Sequence, residues 1–517
     1  MKLELGRIFA EHMVLQQGAD IPVWGRSANN DEITVRLGDV EEKTVAENGV
    51  WSLTLPKMDY CSKTTFTVTS KITDEKICFE DVAIGEVWLA GGQSNMEFIM
   101  KYDVDCNETV KSEDDPDLRF FNFPQTPFLG FLEKESCPDH GFWRRWVGSD
   151  NKIMFSAIGA YMGMILREKL NVPIGIVGCN WGGTPASAWT DMEDLKNNEK
   201  LKEVLDEYER NCAQIDFRKY YETSELPVPL PTKEQLEFTE RFMMGEDMTE
   251  FFKNLGNMPK PDPSIWATYP IAPRSATRPA GVYETMLKKV APYAIKGVIW
   301  YQGEDDDARG WYDFYDESMK TMISCWRRLW GYEFPFFQIE LATFEGVGIT
   351  AAKAYNLMRH KQEEAAKALN KVYDVCILDA GEKFNIHPRH KKMVGERLAY
   401  MVLKHVYNDN SRTADCPRFA SIDKTDDQIT ISFSDTAAGL EIRNDLKDVL
   451  CVSNENNRLE YEYGLDKDRL VLKGDFKGSI KIEYCEMNYC LPSLFNSEGN
   501  PVFGFTAEVR DEKQRSD

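Results

Sequence analysis

Up to about Asp81, apolar and polar residues alternate in short runs: IPVWG, EITVRLG, VWSLTLP and TTFTVTS. Turn residues such as Ala28-Asn29-Asn30-Asp31 and Asn48-Gly49 stand between them. Alternation with period two puts every second side chain on one face of a pleated strand, so residues 1–81 are expected to form a small antiparallel β-sandwich. From Val82 the pattern changes. The apolar runs Glu86 to Ala90, Ile174 to Cys179, Gly297 to Tyr301, Phe336 to Leu341 and Tyr373 to Leu378 are separated by stretches of helical period. Strands alternating with helices predict βαβ units around a parallel sheet. Phe155, Ile158, Met162, Ile165 and Leu166 share one helical face, as do Tyr315, Met319, Met322, Ile323 and Trp326, with Gly331 placed to end that helix. Val394, Leu398, Met401 and Val402 mark a third.

An α/β domain is therefore expected over 82–410. About Asn197 to Pro273 interrupts it with charged helical stretches and the Pro-rich turns LPVPLPT and MPKPDP, an insertion able to cover one end of the sheet. The β pattern returns in ITISFS, RLVLKG and SIKIEY, which predicts a second sandwich over 416–510.

Composition narrows the partners. With 62 Lys and Arg against 85 Asp and Glu among 517 residues, the formal charge is −23. Such a surface repels phosphate backbones and anionic lipid, which argues against nucleic acid and membrane partners. No apolar run is long enough to span a bilayer, and the opening MKLELGR lacks the apolar core of a signal peptide. A soluble protein is expected, either cytoplasmic or exported with its signal absent from this chain. Twelve cysteines occur without a Cys-x-x-Cys or a zinc-like His/Cys spacing, so free thiols and no metal are expected. Neither a heptad seam nor a targeting signal fixes oligomeric state or compartment.

In a parallel sheet, ligands bind beyond the carboxyl ends of the strands. Four such ends carry chemistry: GGQSNM (91–96), NWGGTPASAW (180–189), YQGEDD (301–306) and DAGEKFNIHP (379–388). Ser94, lifted by Gly91 and Gly92, is either a nucleophile or a helix cap, and the local sequence fits both. Of six histidines, His387 alone closely follows an apolar strand, in a loop where Pro388 stops a helix. It is the candidate base. Gly182 and Gly183 free backbone N–H groups to approach an oxyanion, and Gln302 brings an amide to the same edge. Trp181, Trp189, Trp300, Tyr301, Trp311 and Tyr312 are candidates for stacking on sugar rings or for core packing.

These blocks resemble those of the SGNH (GDSL-type) hydrolases, and specifically the sialate O-acetylesterase group of carbohydrate esterases. The similarity lies in Gly92 to Met96, Trp181 to Pro185 with Ala188-Trp189, Trp300 to Glu304 and Ile386 to Pro388. It extends to MVLQ and PVWG near the start, PYAIKGVIWYQGE in the middle and LFNSEGNPVFGF near the end. The resemblance implies a flavodoxin-like SGNH-hydrolase domain and a cofactor-free serine esterase acting on O-acetylated glycans or sialic acid. It implies Ser94 as nucleophile, His387 as base, and an oxyanion hole from the N–H of Ser94, that of Gly182 or Gly183, and Gln302.

The chain departs from the family at the triad acid. Many SGNH enzymes carry an aspartate three residues before the histidine, and here Phe384 stands there, followed by Asn385. Asp379 and Glu382 are the substitutes, or a Ser-His dyad acts alone. A carboxylated sugar needs a local cation, for which Arg274, Arg278 and Arg309 are available. Acetylated xylan or another neutral glycan is the rival substrate, and a non-catalytic glycan-binding protein the rival class. A Gly-x-Ser-x-Gly elbow and a Gly-x-Gly-x-x-Gly fingerprint are both absent, against an α/β-hydrolase and a dinucleotide site.

Overall fold

The computed structural model describes residues 2–131, 139–224, 232–255, 262, 264, 271–455 and 457–510. One strand sets its plan. β1, Lys76–Gly92, is 17 residues long. Its first part pairs antiparallel with Cys61–Ser70 of the N-terminal sheet, Phe66 opposite Phe79. Val14–Gln16 joins its middle in parallel, and its last residues form the centre of the α/β sheet. Burial follows the change of surroundings: alternate residues are covered up to Asp81, and every residue from Val82 to Gly92 is buried. The shift of pattern at Val82 therefore marks where one continuous strand becomes buried on both faces. The N-terminal strands behave as their alternation predicts, with Ile33, Val35 and Leu37 turned inward beside Phe66 and Val68.

The other strands of the central sheet are β2 (Asp115–Asn122), β3 (Trp143–Trp146), β4 (Ile174–Asn180), β5 (Gly297–Tyr301), β6 (Phe336–Ile339) and β7 (Val372–Val375). Their order is β3-β2-β4-β1-β5-β6-β7, parallel throughout except for the antiparallel edge strand β3. β2 and β3 escape the pattern of apolar runs because they carry charge inward. Arg119 is 1% exposed, and its guanidinium pairs with Asp81 at 2.9 Å while donating to the carbonyls of Pro116, Ser62 and Asp81. A buried charge with that many partners reads as surface in a hydropathy pattern.

The helices that matter are α1 (Ser94–Glu97), α2 (Ala157–Leu170), α3 (Lys233–Met243), α4 (Thr249–Leu255), α5 (Glu304–Arg309), α6 (Tyr315–Trp330), α7 (Tyr355–Ala368) and α8 (Lys391–Tyr407). Ser156 caps α2 by accepting from the Gly159 N–H, and Gly331, at φ 78°, ends α6 in the left-handed conformation that the sequence calls for. α2 and α8 pack against each other, α6 and α7 likewise. The Pro-rich turns of the insertion lie almost wholly outside the described residues. Among the described residues, no helix is long and apolar enough to cross a membrane.

The C-terminal region is β-rich. A four-stranded sheet (Phe419–Lys424, Gln428–Phe433, Arg469–Gly474, Tyr461–Asp466) and a three-stranded one (Leu450–Ser453, Ile480–Tyr484, Phe505–Val509) enclose one core. Cys376 and Leu378, from the loop after β7, belong to that same core. The eleven described cysteines are free.

Candidate active site

Register brings the strand ends level. Asn180 lies beside Gly92, Gly92 beside Tyr301, Tyr301 beside Ile339, and Ile339 beside Val375. The loops that follow therefore leave the sheet along one edge. The turn after β1 needs its glycine: Gly92 has φ 124°, and a Cβ there would stand 2.2 Å from the Tyr301 carbonyl oxygen. The chain turns at once into α1, whose N-cap is Gln93, with no side-chain cap bond. Ser94 is the first helical residue, and its hydroxyl is not used for capping. Ser94 Oγ instead lies 2.8 Å from His387 Nε2.

His387 is held by its own loop. Its N–H donates to Asn385 Oδ1 at 3.0 Å, Glu382 accepts from the Asn385 amide and the Arg389 N–H, and the ring is buried. Nδ1 is buried without a hydrogen-bond partner among the described residues. Burial, and after it the Lys391 cation, pull the imidazole down to about 3, so the ring is neutral and basic at Nε2. Asp379 does not serve it. Both Asp379 carboxylate oxygens are taken by the Arg397 guanidinium at 2.9 Å, an ion pair that fixes the start of the loop on α8. Phe384, at the position of the family's aspartate, is 52% exposed. Ser94 and His387 thus face each other with no carboxylate on Nδ1 among the described residues.

The expected oxyanion donors other than Ser94 part ways. Gly182 is the neighbour of Ser94: a Cβ on it would lie 3.2 Å from the Ser94 Cβ. Its N–H, however, donates to Glu97 Oε2 at 2.8 Å, and Glu97 Oε1 accepts from Gln125 at 3.0 Å. Burial holds the Glu97 carboxyl above the usual range against those two bonds. Gly183, at φ 70°, leaves room on its open side, where a Cβ would meet nothing within 4 Å. Gln302 is a correction to the sequence reading. Its amide is fully buried; Nε2 donates to the Thr184 carbonyl at 3.2 Å and to Asp306 at 2.5 Å, and Oε1 accepts from the Tyr315 hydroxyl. Both N–H bonds are spent inside the protein, so none remains for an oxyanion. Its role is to tie β5 to the loop after β4.

Trp189, Trp300 and Tyr301 are also buried, at 0 to 1% exposure. Trp189 and Trp300 pack edge to face with each other, and both lie against Trp326. They are core, and a sugar cannot reach them. Of the six expected aromatics, Trp311 is buried as well, and Trp181 and Tyr312 are partly exposed; Trp181 is anchored by its backbone N–H to the Gly92 carbonyl. The three arginines are engaged elsewhere: Arg278 with Pro127, Ser275 and Glu284, Arg309 with Asp305 and Glu207, and Arg274 with Ser224 and over the rings of Phe128 and Tyr221.

α3 reaches this end of the sheet. Phe242 of α3 packs edge to face on the His387 ring with centroids 5.2 Å apart, and Glu240 bridges to Lys101 at 2.7 Å. Phe242 in turn touches Phe252 of α4. Phe242 and Glu97 are site residues that the strand-end search passed over. Glu97 falls three residues after Ser94, a spacing that puts both on one side of a helical turn, and that spacing was the available signal. Phe242 carried none, because its helix is more than 100 residues from either reacting group in sequence.

Residues 272–404, which include His387, match the family model described as carbohydrate esterase, sialic acid-specific acetylesterase. The sialate O-acetylesterase of Rattus norvegicus is 24% identical over 447 residues, 78% of this chain and 74% of its own. That of Mus musculus is 23% identical over 441 residues with the same shares. Among solved structures, a carbohydrate acetylesterase from Xanthomonas citri superposes with a TM-score of 0.73 at 23% identity, over 98% of this chain and 99% of its own, so the two share their fold.

Proposed function

We propose that this chain, a carbohydrate esterase of the sialate O-acetylesterase group, releases acetate from O-acetylated sugars through Ser94. The observation that carries the reading is the 2.8 Å contact between Ser94 Oγ and a neutral, buried His387 Nε2 at the carboxyl edge of a parallel sheet. The order of the five strands β4-β1-β5-β6-β7, second, first, third, fourth and fifth in their own sequence, is that of flavodoxin-like sheets and supports an SGNH-type layout.

His387 takes the proton of Ser94 as the oxygen attacks the acetyl carbonyl, with the imidazole carrying its own proton at Nδ1. The backbone N–H groups of Ser94 and Gly183 face the developing oxyanion, since that of Gly182 is given to Glu97. The imidazolium then protonates the leaving sugar oxygen, and water, deprotonated by the same ring, hydrolyses the acetyl-enzyme. Trp181 flanks the sugar. Turnover of 4-nitrophenyl acetate tests the nucleophile: the intact protein hydrolyses it and Ser94→Ala loses at least about 1,000-fold in kcat. Equal rates for the two proteins sink the assignment.

Neutral acetylated glycans such as xylan are the second reading of the leaving group, favoured by the Glu97 carboxylate beside Ser94 and by the internal partners of Arg274, Arg278 and Arg309. Acetate release from O-acetylated sialosides and from acetylated xylan, measured side by side, decides between them.

A further inference from the structure

Neither of the candidate acids reaches the His387 ring, yet Ser94 and His387 meet at hydrogen-bond distance across 293 residues of sequence. Asn95 joins them from behind. It follows the nucleophile directly and is 1% exposed. Its Nδ2 donates to the carbonyl of Ile386, the residue just before His387, at 2.9 Å, and to Glu304 Oε1 at 2.5 Å. Its Oδ1 accepts from Lys391 Nζ at 2.6 Å. Lysine only donates and a carbonyl only accepts, so these partners fix which end of the amide faces which way. Lys391 opens α8 and is itself buried against the rings of Phe98 and Tyr301, with its backbone N–H on Asp103. One side chain thus connects the nucleophile turn, the histidine loop, α5 and α8.

We propose that Asn95 is a positioning residue that fixes the His387 loop against the Ser94 turn, doing through the backbone what a triad acid does through Nδ1. The inference rests on the assignment of Ser94 and His387 as the reacting pair. The geometry supplies the reason for its effect. Displacing a base by about 1 Å from its partner costs on the order of 100-fold in rate even when no reacting group is changed.

Asn95→Asp keeps the shape and the acceptor for Lys391 but turns an oxygen toward the Ile386 carbonyl and the Glu304 carboxylate. On 4-nitrophenyl acetate its kcat falls on the order of 100-fold with KM within twofold. The kcat is expressed per active site titrated with a fluorophosphonate, whose rate of Ser94 labelling falls in parallel. A residue that serves folding alone gives fewer titratable sites with normal kcat per site, and that result overturns the proposal. Where Asn95→Asp does not fold, Asn95→Ala removes the donor without adding charge and carries the same expectation. The two assignments fail separately. A Ser94→Ala protein that still turns over refutes the reacting pair. A dead Ser94→Ala protein beside an Asn95→Asp protein with wild-type turnover per site refutes the clamp alone.

Discussion

His387 and Glu97 both depart from ordinary titration, in opposite directions. With His387 drawn down by burial and by Lys391, the ring stays neutral as the pH falls through the ordinary histidine value of about 6.5. Neutral is the form that the proposed transfer of the Ser94 proton requires. The acid limb of kcat/KM on 4-nitrophenyl acetate is therefore expected well below that value, with activity still on its plateau at about pH 5. A limb centred at 6.5 contradicts the burial of the ring. Glu97 acts the other way: ionised, it sets a negative charge close to where the oxyanion forms. Glu97→Gln keeps an acceptor for the Gly182 N–H and removes the charge, so kcat is expected to rise several-fold above the Glu97 pKa and to match the parent below it. A pH-independent ratio of the two rates refutes this. At this scale the Ser94 to His387 contact was legible because only four strand ends carry chemistry and only one of the six histidines closely follows such a strand. Gln302 was not, since an amide at a strand end reads alike whether it faces out or in. Its direction is decided by Tyr315 and Asp306, which belong to α6 and α5.

Among the elements, α3 and the Asp379 to Arg397 link between the β7 loop and α8 invite tests. Phe242→Ala uncovers the His387 ring while leaving Ser94 untouched. Water then reaches the imidazole, its pKa rises toward the ordinary value, and the acid limb moves up by about one pH unit or more. An unmoved profile means that α3 does not control the dielectric of the site. Asp379→Asn separates a catalytic acid from a structural one. A triad acid costs about 10⁴ in kcat when neutralised so. Here kcat is expected within about threefold of the parent, while thermal unfolding reports a loss of about 3 kcal/mol from the buried Arg397 charge left without its counter-ion. The apolar strands and the amphipathic helices were readable because their burial follows a single period. β2 and β3 were hidden by Arg119 and Arg145, which share the sequence-distant Asp81, and by the buried Arg144. The docking of α3 onto His387 was equally hidden, because periodicity shows which face of a helix is apolar and not what it meets.

Taken whole, the molecule is stitched together by contacts that cross its β-rich and α/β parts. Arg397 donates to Asn500, Arg359 to the carbonyls of Cys485 and Met487, and Thr343 to that of Cys490, while the Phe344 N–H bonds to Asn488. A chain ended at residue 410 leaves these groups without partners and strips the cover from Cys376 and Leu378. It is expected to unfold at a temperature lower by 10 °C or more, or to aggregate, as read by calorimetry of the shortened chain.

At the other end the tie is β1. Because it enters from the N-terminal sheet and delivers Gly92 to the nucleophile turn without a break, the N-terminal part cannot be exchanged like a bead on a string. Any recombination that joins a foreign N-terminal sheet here must cut inside a strand, where parity matters. One residue gained or lost at the seam at 81/82 turns over every side chain on one side of the seam relative to the other, or displaces the Ser94 turn by about 3.4 Å. The two parts are bound to be inherited together, and only in-phase chimaeras of them will hydrolyse an ester.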